Sequence, residues 1–126
     1  MRFAIVVSRF NEEVTGGLLK GAKAYLAEQG SPMRDEDVFP APGAFEIPLL
    51  AKKLAETGRY SGVLGLGCVI KGDTAHFEFI SLGAATGLMQ AMLDTGTPLA
   101  FGILTTYTDA QAEARSRDDA HNKGRE

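Results

Sequence analysis

The sequence predicts an α/β fold: a three-layer sandwich of four parallel strands with helices on both faces. Three observations carry that prediction. Apolar runs of strand length alternate four times with stretches whose apolar residues recur at helical spacing. That strand-then-helix order calls for parallel strands joined by right-handed crossovers. The length of 126 residues, 44% of them hydrophobic, allows one buried core and is short for two, so residues 1–126 are read as a single domain.

The elements follow in order. Phe3-Ala-Ile-Val-Val-Ser8 is a β-branched run of strand length, and Arg9-Phe10-Asn11 forms its exit loop. From Glu12, residues Val14, Leu18, Ala22 and Leu26 keep helical spacing, with Glu12 and Glu13 at the favourable N-terminal end and Gly30 as a stop. Val38-Phe39 lies between an acidic turn and Pro40-Ala-Pro42, which leaves room for a short strand near the sheet edge. Gly43-Ala-Phe-Glu46 reads as a loop. Pro48 belongs in the first turn of the next helix, whose apolar face is Ile47, Leu50, Ala51 and Leu54 and whose end is Gly58.

The central strand runs from Gly62 to Ile70, apolar and glycine-spaced, and breaks at Lys71-Gly72-Asp73. A helix from Thr74 places Phe77, Ile80, Ala84, Leu88 and Met92 on one face and stops at Gly96. Its thin middle, Gly83, Ala84, Ala85 and Gly87, suits close packing on a sheet or on another subunit. Pro98 to Thr105 is a fourth strand. Thr108 or Asp109 caps a last helical segment in which Arg115, Arg117 and Lys123 stand among acidic residues.

A formal charge of -3 and a pI near 5.4 argue against nucleic acid or an anionic membrane as the main partner. The lone cysteine, Cys68, lies inside the apolar central run, so it reads first as a structural thiol. The opening apolar run is short for a signal peptide and no run reaches the length of a membrane span. A soluble, cytoplasmic protein is expected. Signatures for nucleotide hydrolysis, zinc proteolysis and serine hydrolysis do not occur.

In an open parallel sheet, ligands sit beyond the carboxyl ends of the strands, where helix N-termini offer free N–H groups. Four loops reach that edge: Phe10-Asn11, Gly43-Ala44-Phe45-Glu46, Lys71 to His76, and Thr105-Thr106. They offer an aromatic face, a carboxylate, an imidazole and hydroxyls, a plausible small-molecule pocket. Gly72-Asp73-Thr74 before a helix suits a phosphate, and would serve equally as an ordinary cap. His76 beside such an anion site reads as a general acid/base, since imidazole exchanges protons near neutral pH. Phe10 could stack on a planar ring or pack in the core. Glu46 could accept hydrogen bonds from hydroxyls or merely support a helix start. Arg115 and Lys123 read by default as solvated charges, and His121 has no role. A four-stranded sheet gives its crevice few walls, so a neighbouring subunit is expected to complete the site.

Five segments, in order, resemble the 6,7-dimethyl-8-ribityllumazine synthase family: Ser8-Arg-Phe-Asn11, Pro42-Gly-Ala-Phe-Glu-Ile-Pro48, Leu66-Gly-Cys-Val-Ile-Lys-Gly-Asp-Thr74 with His76-Phe77, Ala100-Phe-Gly-Ile-Leu-Thr-Thr106, and Asn122-Lys-Gly124. The resemblance covers nearly the whole chain. It implies the flavodoxin-like strand order 2-1-3-4. It also implies condensation of 5-amino-6-(D-ribitylamino)uracil with 3,4-dihydroxy-2-butanone 4-phosphate, without metal or redox cofactor. By the same resemblance Phe10 would stack on the pyrimidine. Asn11 and the Gly43, Ala44, Phe45 and Glu46 segment would hold that substrate and its ribityl chain, and Cys68, Val69 and Ile70 would line the pocket.

The family's phosphate site maps onto Gly72, Asp73, Thr74 and Arg115, its proton-transfer histidine onto His76, with Arg115 counted among the catalytic groups. Phe101, Arg115 and Lys123 would come from the adjacent subunit of a pentamer or a larger assembly. Two alternatives stand beside this reading: an archaeal-type riboflavin synthase, and a non-catalytic binding or shell-forming relative. The chain departs from the family in beginning at the first core strand, in ending at Glu126, and at Tyr107, Asp119 and His121. In the family an acidic residue is common at the first of these positions, and a basic residue and a glycine are usual at the other two. Assembly size and phosphate affinity are the properties these departures touch.

Overall fold

A computed structural model describes residues 1–126. Four strands, β1 (Phe3–Ser8), β2 (Val38–Ala41), β3 (Gly62–Ile70) and β4 (Leu99–Thr106), form one sheet in the order β2-β1-β3-β4. Every pairing is parallel. Helices α1 (Glu12–Glu28), α2 (Ile47–Glu56), α3 (His76–Thr95) and α4 (Asp109–Ala114) connect or follow the strands. The result is a flavodoxin-like three-layer α/β sandwich.

The alternation of side chains along each strand splits the core in two. Ala4, Val6, Val63, Val69 and Ile103 point to one face and pack with Ile47 and Ala51 of α2 and Ala84 and Leu88 of α3. Ile5, Leu66, Cys68 and Leu104 point to the other, against Val14, Leu18 and Ala22 of α1 and Ala112 of α4. Both faces of the central strand are therefore buried, which accounts for an apolar run without polar alternation. Gly65 has a packing reason: a Cβ there would come within 2.8 Å of Ile47 Cγ2, so its absence lets α2 lie close on the sheet.

The observed elements differ from the sequence expectations in five places. β2 takes in Pro40 and Ala41; it is an edge strand, so the missing proline N–H leaves no neighbour unpaired. The Gly43–Glu46 stretch is wound rather than irregular, with a 3-10 turn at Ala44–Glu46 leading directly into α2. β4 begins at Leu99 and runs through Thr106 instead of spanning 98–105. α3 begins at His76, not Thr74; Thr74 stays outside the helix and its Oγ1 accepts a hydrogen bond from the His76 amide at 3.3 Å. α4 stops at Ala114, so Arg115 and Lys123 lie on turns beyond it.

The thinned middle of α3 also finds its partner. A Cβ at Gly83 would approach the Phe45 ring at 2.8 Å and one at Gly87 would meet Pro48 at 2.9 Å. Within the chain, Phe45 of the 3-10 turn and Pro48 in the first turn of α2 fill that space. At the head of α4 the sequence reading holds: Thr108 caps the helix, its Oγ1 accepting from the Gln111 amide at 3.1 Å while the Gln111 side chain accepts from the Thr108 amide.

Candidate functional site

The parallel sheet directs three loops to one corner beyond its carboxyl edge. β1 ends at Ser8, whose Oγ accepts from the Phe10 amide at 3.1 Å, and the turned chain leaves Phe10 65% exposed. The segment after β2 brings Gly43, Ala44, Phe45 and Glu46; β3 brings Cys68, Val69 and Ile70; the loop entering α3 brings Gly72, Thr74 and His76. All of these line a cavity of about 410 Å³. Pro42, Phe77 and Ile80 complete its wall. The sequence reading did not assign these three. Phe77 and Ile80 share the α3 stripe that packs on the core, and at the first turn that stripe runs past the sheet edge into the pocket.

The wall is mostly apolar and its rim is polar. Phe45 stands 57% exposed, and Glu46 folds back so that its Oε1 would lie 3.3 Å from a Cβ on Gly43. His76 is exposed at the first position of α3; of the opening turn's amides, that of His76 donates to Thr74 Oγ1 and that of Glu78 to the Ala75 carbonyl, which leaves the Phe77 N–H without a partner. Tyr107 packs its ring 6.0 Å from that of Phe77, and the Lys71 ammonium lies 5.5 Å from the Tyr107 ring centroid. Lys71 thus sits near the anion-suited loop with an aromatic contact and no carboxylate partner among the ion pairs.

Cys68 is buried on β3. Burial, reinforced by the Asp109 carboxylate, pushes its thiol up to about 11, and an interaction with the Asn11 side chain offsets part of that rise. Such a thiol stays protonated near neutral pH and serves as pocket wall rather than nucleophile. No three His, Cys, Asp or Glu side chains gather anywhere in the chain as a metal-ligand set.

The remaining candidates lie elsewhere in the same chain. Asn11, in the left-handed conformation with φ 59°, faces a second recess with Glu12, Glu13, Asp109 and Glu113. Asp73 is exposed in the loop before α3 and is not part of the first cavity's wall. Phe101, Arg115 and Lys123 line a separate cavity of about 470 Å³ along the outer edge of β4. There the Arg115 guanidinium donates to the Gln111 carbonyl oxygen at 2.9 Å, and the Lys123 ammonium meets Glu126 at 2.7 Å. One chain therefore carries an aromatic, hydroxyl and imidazole corner and, on its β4 edge, a cationic one.

The first corner can hold a planar heterocycle against Phe10, hydrogen-bond its substituents at the Gly43–Glu46 turn, receive an anion at the head of α3, and move a proton through His76. The family model described as 6,7-dimethyl-8-ribityllumazine synthase matches residues 1–126. "6,7-Dimethyl-8-ribityllumazine synthase 1" of Caulobacter vibrioides is 70% identical over 125 residues, covering 99% of this chain and 82% of that protein. The 6,7-dimethyl-8-ribityllumazine synthase of Nitratidesulfovibrio vulgaris strain DP4 is 48% identical over 126 residues, covering 100% of this chain and 81% of the relative. That of Deinococcus radiodurans is 46% identical with the same coverage.

Proposed function

The chain belongs to the 6,7-dimethyl-8-ribityllumazine synthase family, and on that premise we propose that it condenses 5-amino-6-(D-ribitylamino)uracil with 3,4-dihydroxy-2-butanone 4-phosphate to 6,7-dimethyl-8-ribityllumazine, a transferase step of riboflavin biosynthesis. The single observation that carries the reading is the shared cavity of Phe10, Glu46, Thr74 and His76. The names of the family and of the curated relatives favour this over a riboflavin synthase.

The amine of the pyrimidine attacks the ketone and water leaves to give an imine. Inorganic phosphate departs from the four-carbon unit, and ring closure releases a second water. No electrons are exchanged, and the reaction needs no metal or redox cofactor. The protein's part is positioning and proton transfer. Phe10 stacks on the pyrimidine, Asn11 and the Gly43–Glu46 turn hold its substituents and ribityl chain, and Cys68, Val69 and Ile70 form the floor. Gly72, Asp73 and Thr74 receive the phosphate, while His76 relays protons between the amine and the departing groups.

Residues 1–126 act in this reading as one lumazine-synthase-like domain within a homo-oligomer, a pentamer or an assembly of pentamers. Two observations support association. Phe101, Arg115 and Lys123 face a cavity of their own, so a neighbour's β4 edge is needed to bring an arginine to the phosphate, where its planar fork can make two parallel hydrogen bonds. In addition α3 is apolar on its outer side, where Phe79, Leu82, Met89 and Leu93 are each more than half exposed. No helix is long and apolar enough to cross a membrane, and we place the enzyme in the cytoplasm.

The test supplies both substrates and follows the absorbance of the lumazine, with a parallel reaction fed lumazine and assayed for riboflavin. Lumazine formation that slows in His76→Ala and Arg115→Ala supports the proposal. Riboflavin from lumazine, or no turnover with either substrate set, overturns it, and turnover unaffected by both substitutions overturns the assigned roles.

A further inference from the structure

Beyond Ala114 the chain has no regular element, yet it is held firmly against α1. Asn122 is 2% exposed. Its side-chain nitrogen donates to the Gly17 carbonyl at 3.0 Å and to the Arg117 carbonyl at 2.8 Å, and its side-chain oxygen accepts from the Gly124 amide at 2.8 Å. Both amide hydrogens and the carbonyl oxygen are thus engaged, one of them across 105 residues of sequence. A buried amide satisfied on every side admits one arrangement, because each alternative leaves a polar atom unpaired.

The face of α1 is shaped to receive it. A Cβ at Gly21 would collide with the Asn122 amide, one at Gly124 with the Leu18 carbonyl, and one at Gly17 with the Ser116 carbonyl. Small residues on both sides therefore let the terminal segment lie on the helix backbone. Within that clamped loop the Lys123 amide donates to the Arg115 carbonyl at 2.8 Å. The two cations spring from adjacent points of one locked turn, and both line the cavity on the β4 edge. Their partners in the chain are a helix-end carbonyl and the exposed Glu126, neither of which calls for a preset spacing. A phosphate monoester does: its oxygens are a few ångströms apart and accept best from donors already in place.

We propose that Asn122 is a positioning residue for the phosphate-bearing substrate, its buried amide setting the spacing of Arg115 and Lys123. This rests on the reading of Arg115 as the phosphate clamp of a neighbouring subunit's pocket. Asn122 touches no substrate and acts through the two cations.

The experiment measures KM for the phosphorylated ketone and for the ribitylaminouracil separately, with inhibition by inorganic phosphate and a thermal melt. The proteins are the full-length wild type, Arg115→Ala, Asn122→Ala, Asn122→Asp and Gly21→Ala. Asn122→Asp keeps the acceptor for Gly124 and loses both donors, and Gly21→Ala displaces the amide from the α1 side, so the test survives poor folding of the alanine variant. The Asn122 and Gly21 variants are expected to raise KM for the phosphorylated ketone about tenfold. The phosphate inhibition constant should rise in parallel, and KM for the uracil should stay within about twofold. A merely structural anchor would lower the melting temperature and leave the two KM values in proportion. Equal changes in both KM values, or a lower melting temperature alone, therefore overturn the inference. An Arg115→Ala protein whose ketone KM matches wild type overturns the clamp reading and this inference with it. A rise with Arg115→Ala and none with the Asn122 or Gly21 variants overturns this inference alone.

Discussion

Arg2 grips Asp37 through two parallel hydrogen bonds, Nε to Oδ2 at 2.9 Å and Nη2 to Oδ1 at 2.8 Å. The pair closes the end of the sheet opposite the functional cavity, joining the residue before β1 to the turn that enters β2. Asp37 is 2% exposed, and the buried Tyr60 hydroxyl donates to its Oδ1 at 3.0 Å. The Arg2 ring contact is part of the same cluster, with the guanidinium 5.6 Å from the Tyr60 centroid. Hydrogen bonds from Arg2 are the main reason that the Asp37 carboxyl sits below its usual 3.8, against the opposing pull of burial.

A pH dependence follows. A carboxyl lowered in the folded state contributes stability above its unfolded range, and that contribution is lost as pH falls through the folded value. Wild-type melting temperature should therefore drop below about pH 4. Asp37→Asn should melt lower at pH 7, and the gap between the two proteins should narrow as the solution is acidified. Calorimetric scans from neutral to acid pH check this; a gap that is constant with pH would remove the Asp37 charge from the account.

Two glycines that face the same part of the fold should respond differently to alanine. At Gly83 the new Cβ meets the exposed Phe45 ring, which can swing away, so stability should change little. The displaced ring belongs to the pocket wall, and KM for the uracil substrate should rise about threefold to tenfold. At Gly65 the new Cβ meets the fully buried Ile47, and overpacking should cost about 1–3 kcal/mol. Thermal melts and initial rates on Gly83→Ala and Gly65→Ala separate the two effects.

The outer stripe of α3 should control assembly. Leu82 and Leu93 are 68% and 69% exposed, and neither packs against the core clusters of its own chain. Leu82→Glu and Leu93→Glu should leave the circular dichroism of the chain intact. In sedimentation they should shift the protein toward monomer, with lumazine formation lost as the neighbour's Arg115 is withdrawn. A monomeric wild type, or dissociated variants with full turnover, would contradict a shared site.

Much of the fold is legible along the chain because its signals are local. β1 and β3 match their expected limits, since an apolar run flanked by turn residues has one way to end. Gly30, Gly58 and Gly96 all adopt positive φ at the helix ends where they were expected. α3 begins two residues later than its apolar spacing predicts because Thr74 can cap from outside a helix or begin one, and only the direction of its hydroxyl separates the two. The same limit applies to Phe77 and Ile80, whose spacing is that of a core stripe although they also form the pocket wall.

What the sequence by itself determined was the order of strands and helices, the residue types at the carboxyl edge and, through its resemblance, the family. Only the tertiary structure decided that Gly83 and Gly87 receive Phe45 and Pro48. It likewise gave Asn122 a buried place on α1. The physical reason is range. Periodicity and capping depend on neighbours a few residues away, whereas a contact such as Asn122 with Gly17 depends on how two distant backbones are brought together by packing.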